Sequence, residues 1–266
     1  MARPVIALLT DFGSRDHYAG TMKAAVLGVN PDVTLVDISH DIPPHDVLTA
    51  SLELAASYKY FPQGTIFLVV VDPGVGSARR GIAVDTGDYR FVAPDNGVLT
   101  AVLKESPPRR AVELTERRYA RPSVSKTFEG RDRFAPAAGW LAKGVDLSAL
   151  GRPAGEIQQL AIPEASVAGD TLSGEVLRVD RFGNLVTNID DRLFDKFSQS
   201  ATIEISAGSH RIGRVVATYA EVGPEEVCAL FGSTDHLEIA VNASSASERL
   251  GLTRGARVII RKKAQG

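Results

Sequence analysis

The sequence predicts an α/β N-terminal domain with a mostly parallel sheet, followed by a small C-terminal β-barrel domain. Three observations carry that prediction. In the first half, strand-like apolar runs alternate with helix-like segments, the order that builds βαβ units. One run, Leu68-Val69-Val70-Val71, is apolar at every position, as in a strand covered on both faces. After residue 155 short strands separated by Gly, Asn and Asp turns take over, the pattern of a barrel or sandwich.

Element by element, residues 1–155 read as strands at 5–9, 34–38, 65–71, 81–86 and 89–93, with helices at 18–29, 47–60, 97–104 and 131–143. Residues 153–170, rich in Ala, Gly, Pro and Gln and without a clear period, contain a linker placed at 156–170. Strands at 173–179, 185–189, 201–205, 210–216, 227–231, 237–241 and 256–261 then make up a second domain over 171–266. A chain of 266 residues with 44% hydrophobic content can bury two such cores.

Composition excludes several classes. A formal charge of −2 lacks the basic excess of a nucleic-acid binder. Cys228 is the single cysteine, so an intramolecular disulfide and a multi-cysteine metal site are excluded, and a reducing, cytoplasmic compartment is expected. The first apolar run, of about five residues, is too short for a signal peptide or a membrane span.

Candidate chemistry sits where strands end, because ligands of open α/β sheets bind outside the carboxyl ends of the strands. Asp72 leaves the apolar run, and Arg79 follows it across Pro73-Gly74-Val75-Gly76. The competing explanation is a strand cap with a tight turn. Asp11, in Thr10-Asp11-Phe12-Gly13, occupies the same edge and suits ribose hydroxyls, or else caps the next helix. The stretch from Asp37 to Asp46, with His40 and His45, invites a metal but lacks ligand spacing and is split by Pro43-Pro44. Pro94-Asp95-Asn96-Gly97 reads as a turn opening a helix. Thr127-Phe128-Glu129-Gly130-Arg131-Asp132-Arg133-Phe134-Ala135-Pro136 packs two acids and two bases around a glycine before a helix start, a place for an anion or nucleophile or for dipole-complementing acids. In the second half, Asp180-Arg181-Phe182-Gly183-Asn184 offers a ring to stack on a planar base and an amide to read its edge, or a hairpin turn.

In order and spacing, these segments together with Val71-Asp72-Pro73-Gly74-Val75-Gly76, Ala93-Pro94-Asp95-Asn96-Gly97 and Val241-Asn242-Ala243 resemble the S-adenosylmethionine (SAM) hydroxide adenosyltransferases. That family also includes the SAM-dependent chlorinases and fluorinases. The resemblance spans nearly the whole chain and implies a SAM hydrolase giving adenosine and L-methionine, without metal or redox cofactor. It also implies a homotrimer whose sites lie between the N-domain of one subunit and the C-domain of its neighbour. On this resemblance Asp11 holds the ribose, Phe182 and Asn184 hold adenine, and Asp180 and Ser233 take the methionine end. Phe128, Gly130, Tyr219, Val241 and Ala243 are further substrate-binding positions. Asp72 and Arg79 match two of the three residues around the attacking water. The third, His in the hydrolase pattern, is Glu129 here. Glu129 is then either a general base or a position that slows turnover, since two close carboxylates tend to share a proton. Two rivals remain: a non-catalytic SAM-binding protein, and a halogenase, against which stand the carboxylates of Asp72 and Glu129 facing an incoming anion.

Overall fold

The computed structural model describes residues 3–199 and 201–263. The chain divides into two compact units between Ile162 and Pro163.

The first unit contains β1 (Val5–Thr10), α1 (Tyr18–Val29), β2 (Thr34–Ser39), α2 (Val47–Ser57), β3 (Ile66–Val70), β4 (Gly81–Asp85), β5 (Arg90–Pro94), α3 (Thr100–Glu105), β6 (Arg110–Glu113) and α4 (Ala135–Ala142). Its sheet runs β2-β1-β3-β5-β4-β6. The period-2 alternation of the central strands builds two cores, one on each face. Ile6 and Leu8 of β1 and Ile66, Leu68 and Val70 of β3 pack with Met22, Val26 and Ala138 of α1 and α4. Ala7, Leu9, Phe67 and Val69 face Ala50, Leu54 and Val102 of α2 and α3. Each fully buried Leu, Ile or Phe there contributes about 1.5–3 kcal/mol, so β1 and β3 are the anchored strands.

The sheet is mostly parallel, as expected, but not purely so, because β4 is reversed. Three pairings are parallel, β1 with β2, β1 with β3 and β3 with β5. By contrast, β4 runs antiparallel to both β5 and β6. The reason lies in loop length: residues 86–89 join β4 to β5, and a parallel return needs a crossover of about a dozen residues. Gly87, at φ 101°, makes that reversal.

The second unit contains β7 (Ser166–Ala168), β8 (Thr171–Val179), β9 (Leu185–Asp190), α5 (Asp191–Ser198), β10 (Ile203–Ala207), β11 (His210–Ile212), β12 (Val227–Phe231), β13 (His236–Val241), α6 (Ala246–Leu250) and β14 (Arg257–Lys262). The strands form an antiparallel sheet in the order β11-β10-β14-β8-β9-β13-β12, with β7 on β8. The sequence places a strand at 210–216, whereas β11 ends at Ile212. The residues beyond it turn to β12, where Ala229 N–H donates to the Arg214 carbonyl at 3.0 Å and Val216 N–H to the Ala229 carbonyl at 2.9 Å. These bonds bring the two ends of the sheet together into a nearly closed barrel around Leu172, Ile189, Ile239 and Ile260. Strands β6 and β7 and helices α5 and α6 are additions to the sequence expectation. Among the described residues no helix is long and apolar enough to cross a membrane.

Candidate functional site

In the first unit, the register of β1 on β3 pairs Thr10 with Val70, so Asp11 and Asp72 leave the carboxyl ends of neighbouring parallel strands. Two linked turns shape the loop beyond Asp72: Val75 N–H donates to the Asp72 carbonyl at 3.2 Å and Ser77 N–H to the Gly74 carbonyl at 3.1 Å. These turns swing Arg79 back onto Asp72. The Arg79 guanidinium grips both oxygens of Asp72, from Nε to Oδ1 at 2.9 Å and from Nη2 to Oδ2. The same Nη2 lies 2.5 Å from Glu129 Oε2, and Arg133 Nη2 lies 3.6 Å from Glu129 Oε1. All three central side chains are nearly buried, at 6% exposure for Asp72, 9% for Arg79 and 13% for Glu129. Burial pulls the Arg79 guanidinium downward, but Asp72 and Glu129 outweigh it and hold the group above its ordinary value, fully charged. Its Nη1 is buried and has no hydrogen-bond partner among the described residues.

Two glycines make this convergence possible. At Gly76, φ 78°, a Cβ would sit 2.5 Å from the Lys126 carbonyl oxygen, so the loop tip rests directly on the backbone leading to Glu129. At Gly130 a Cβ would sit 3.0 Å from Val70 Cγ1, so the chain crosses tightly over the end of β3. From Gly130 to Phe134 the backbone makes a π-helical turn before α4 begins, which corrects the expected continuous helix over 131–143. Such turns often occur at functional sites. Phe134 lies under Arg79, with the guanidinium carbon 5.1 Å from the ring centroid.

Asp132, fully buried, anchors this turn. Its carboxylate accepts from Arg131 Nε and Nη2, each at 2.7 Å, and from Ser125 N–H at 2.8 Å. Arg121 Nε adds an ion pair at 3.3 Å. Burial pushes the carboxyl up, yet Arg131, the Ser125 amide and Arg121 more than offset it and hold Asp132 below the usual carboxylate range. A depressed folded value means that the stabilisation is complete above the unfolded value of about 4 and is lost as pH falls through the folded one. Asp132→Asn is therefore expected to cost about 1.5–3 kcal/mol at pH 7, with the gap to the parent narrowing toward pH 2 in urea melts. An equal gap at both pH values would refute the assignment.

Asp11 does not cap α1, whose N-cap is His17. Its Oδ2 instead accepts from His45 N–H at 2.9 Å. Below it the 37–46 stretch forms a support: Lys23 Nζ to Asp37 at 2.6 Å, Asp37 to His40 Nε2 at 3.1 Å, and His40 Nδ1 to Thr10 Oγ1 at 2.7 Å. Burial raises the Asp37 carboxyl, but Lys23 and His40 outweigh it and lower the group overall. Phe128 packs edge-on against Phe12 and Tyr18, at centroid distances of 5.6 and 5.2 Å. Thus Asp11, through its neighbour Phe12, and Asp72, Arg79, Phe128, Glu129 and Gly130 share one end of the sheet.

The second unit gathers most of the remaining candidates. Asp180 Oδ1 accepts from the amides of Phe182 and Asn184 at 2.9 and 2.8 Å, which folds the β8–β9 hairpin loop and turns Phe182 outward at 78% exposure. Asn184 Nδ2 donates to Asp180 Oδ2 at 2.9 Å and to Tyr219 Oη at 3.4 Å, and Tyr219 Oη donates to Glu238 Oε2 at 3.4 Å. Burial first, then the Asp180 charge, raises the Glu238 carboxyl, and burial with the Glu238 and Asp180 charges raises Tyr219. Ser233 is exposed on the β12–β13 turn. Ala243 sits in a turn at φ 59°. The Val241 side chain, 3% exposed, belongs to the barrel core.

Sequence reasoning noted Arg133 and Phe134 within the cluster before the helix but gave no site role to them or to Glu238. Arg133 stands four residues after Glu129, a spacing that signals a pair only once the turn is known to be helical. Glu238 lies in an apolar strand run, where a carboxylate is itself a signal.

Family models for the N-terminal and C-terminal domains of the SAM hydroxide adenosyltransferases match residues 6–151 and 174–259. An (R)-S-adenosyl-L-methionine hydrolase of Thermus thermophilus is 40% identical over 262 residues, covering 95% of this chain and 97% of its own. A fluorinase of Actinoplanes is 32% identical over 70% of this chain and 72% of its own. Among solved structures, an uncharacterized conserved protein of Thermotoga maritima matches with a TM-score of 0.91 at 37% identity, over 97% of this chain and all of that one.

Proposed function

This chain belongs to the SAM hydroxide adenosyltransferase family, and from that premise we propose that it hydrolyses (R)-S-adenosyl-L-methionine to adenosine and L-methionine. Water attacks the ribose C5′, the C5′–S bond breaks, and its electron pair returns to sulfur, so methionine leaves as a neutral thioether and needs no acid. The water loses one proton. The enzyme must hold an oxygen in line with the C–S bond and accept that proton.

The observation that carries this reading is the buried, unpartnered Nη1 of Arg79 beside two carboxylates. A guanidinium N–H in that position can donate to the oxygen of an attacking water. Arg79 Nη1 holds the water, and Asp72 accepts its proton on a lone pair that Arg79 does not occupy. Glu129 faces a guanidinium with each oxygen. It acts here by anchoring Arg79, not as the base.

Asp11 takes the ribose hydroxyls, with Phe128 and Gly130 shaping that wall. Phe182 stacks on adenine beside Asn184, while Asp180, Tyr219 and Ser233 take the methionine end and Ala243 and the Val241 backbone complete the pocket. The homotrimer with shared sites follows the family resemblance, and Phe182, 78% exposed, presents a ring for a ligand to stack on. No metal or redox cofactor enters the reaction. The buried free thiol of Cys228 suits a reducing, cytoplasmic compartment.

Incubation with SAM in oxygen-18 water without halide is expected to give labelled adenosine by mass spectrometry. Bound but unconverted SAM would overturn hydrolysis in favour of a binding protein. A 5′-halonucleoside formed only on adding chloride would overturn it in favour of a halogenase.

A further inference from the structure

The turn after β5 is built around Asp95 and Asn96, and it touches both ends of the loop that carries Asp72 and Arg79. Asn96 Nδ2 donates to the carbonyl of Val71, the residue before Asp72, at 2.9 Å. The ladder between β3 and β5 pairs Ile66, Phe67 and Leu68 but does not extend to Val71, which is fully buried. Its carbonyl would otherwise face the cost of an unmet acceptor. Asn96 Oδ1 accepts from Val98 N–H at 3.2 Å, which fixes the orientation of the amide.

The other end is held by Asp95, which is 4% exposed. Its Oδ2 accepts from Nε of Arg80, the residue after Arg79, at 2.8 Å, and also from Arg80 Nη2. The Asp95 amide donates to the Arg80 carbonyl at 2.9 Å. Asp95 Oδ1 accepts from Gln158 N–H at 2.9 Å, and Arg80 also reaches the carbonyls of Ala154 and Glu156. The Asp95 amide bond to Arg80 continues the β4–β5 ladder beyond Gly81–Pro94, whereas the side-chain bonds of Asn96 and Asp95 reach outside the turn. The bonds to residues 71 and 80 bracket the active loop on either side.

We propose that Asn96 and the Asp95–Arg80 pair are positioning residues that clamp the two ends of the 72–79 loop and thereby hold Asp72 and Arg79 at working distance. The proposal rests on the hydrolase reading for its catalytic consequence. Its mechanical content stands on the loop alone.

Asn96→Asp is the decisive variant, because it keeps the shape and the acceptor for Val98 but removes the donor to Val71. Expected results are a fall in kcat of about tenfold to a hundredfold with KM for SAM within about twofold. Amide exchange should quicken across residues 74–79 and stay unchanged in β1 and β3. Asn96→Ala should behave alike, and Arg80→Lys, which keeps the charge but loses the planar fork, should fall between them and the parent. Unchanged kcat with unchanged exchange would overturn the clamp. A broad rise in exchange across the unit together with a large drop in Tm would overturn it in favour of a general structural role. Should the parent protein release no adenosine, the hydrolase reading fails, and the exchange measurement still decides the clamp.

Discussion

Asp72→Asn is expected to lower kcat for SAM hydrolysis by about a thousandfold while leaving a folded protein. The size follows from the loss of the proton acceptor, a contribution of about 10²–10⁴ in comparable roles. Folding survives because the arginine is not orphaned: Glu129 Oε2 remains 2.5 Å from Arg79 Nη2. We expect a stability cost of about 1–2 kcal/mol, a fall in Tm of a few degrees for a protein of this size. KM should barely move, since the carboxylate acts on the water and not on SAM. A Tm lowered by about 15 °C with kcat intact would restore the strand-cap explanation.

Arg79→Met carries the larger structural penalty. Two nearly buried carboxylates then share one end of the sheet, with Arg133, 3.6 Å from Glu129, as the neighbouring cation. Breaking a buried pair by removing one partner costs about 3–5 kcal/mol, roughly 10 °C in Tm here. Turnover should disappear with the Nη1 donor. Adding Asp72→Asn to this variant should recover part of the Tm, by removing one unpaired charge, and none of the activity. Parent-like melting in the single variant would show that the triple is not an electrostatic unit.

Much of the fold was legible because periodicity and burial agree. Runs that are apolar throughout, as in β1 and β3, bounded by polar and turn residues, are recognised from residue type alone. The antiparallel placement of β4 was also within reach, since only residues 87–88 separate the two strands that the sequence marks there. Helix α5 was not: it starts directly from β9, and Asp190 serves both as the last strand residue and as the cap accepting Leu193 N–H at 2.8 Å. Of the site, Asp72 and Arg79 announce themselves through a strand-to-loop boundary. Phe134 beneath Arg79 does not, because the π-helical turn shifts every later side chain away from the face that an α-helical period assigns to it. Asn96 looks like any turn amide, since nothing local reveals that its donor reaches another strand.

The seating of Gly76 on the Lys126 carbonyl has a bearing on how such enzymes can be re-engineered. The segment bearing Asp72 and Arg79 and the segment bearing Glu129 lie fifty residues apart in sequence, yet backbone rests on backbone with no side chain between them to absorb a misfit. They are one part, not two. Varying one segment alone puts that seat at risk, so residues 72–79 and 126–134 belong together in any exchange between relatives, with Asn96, Asp95 and Arg80 kept to hold the loop ends.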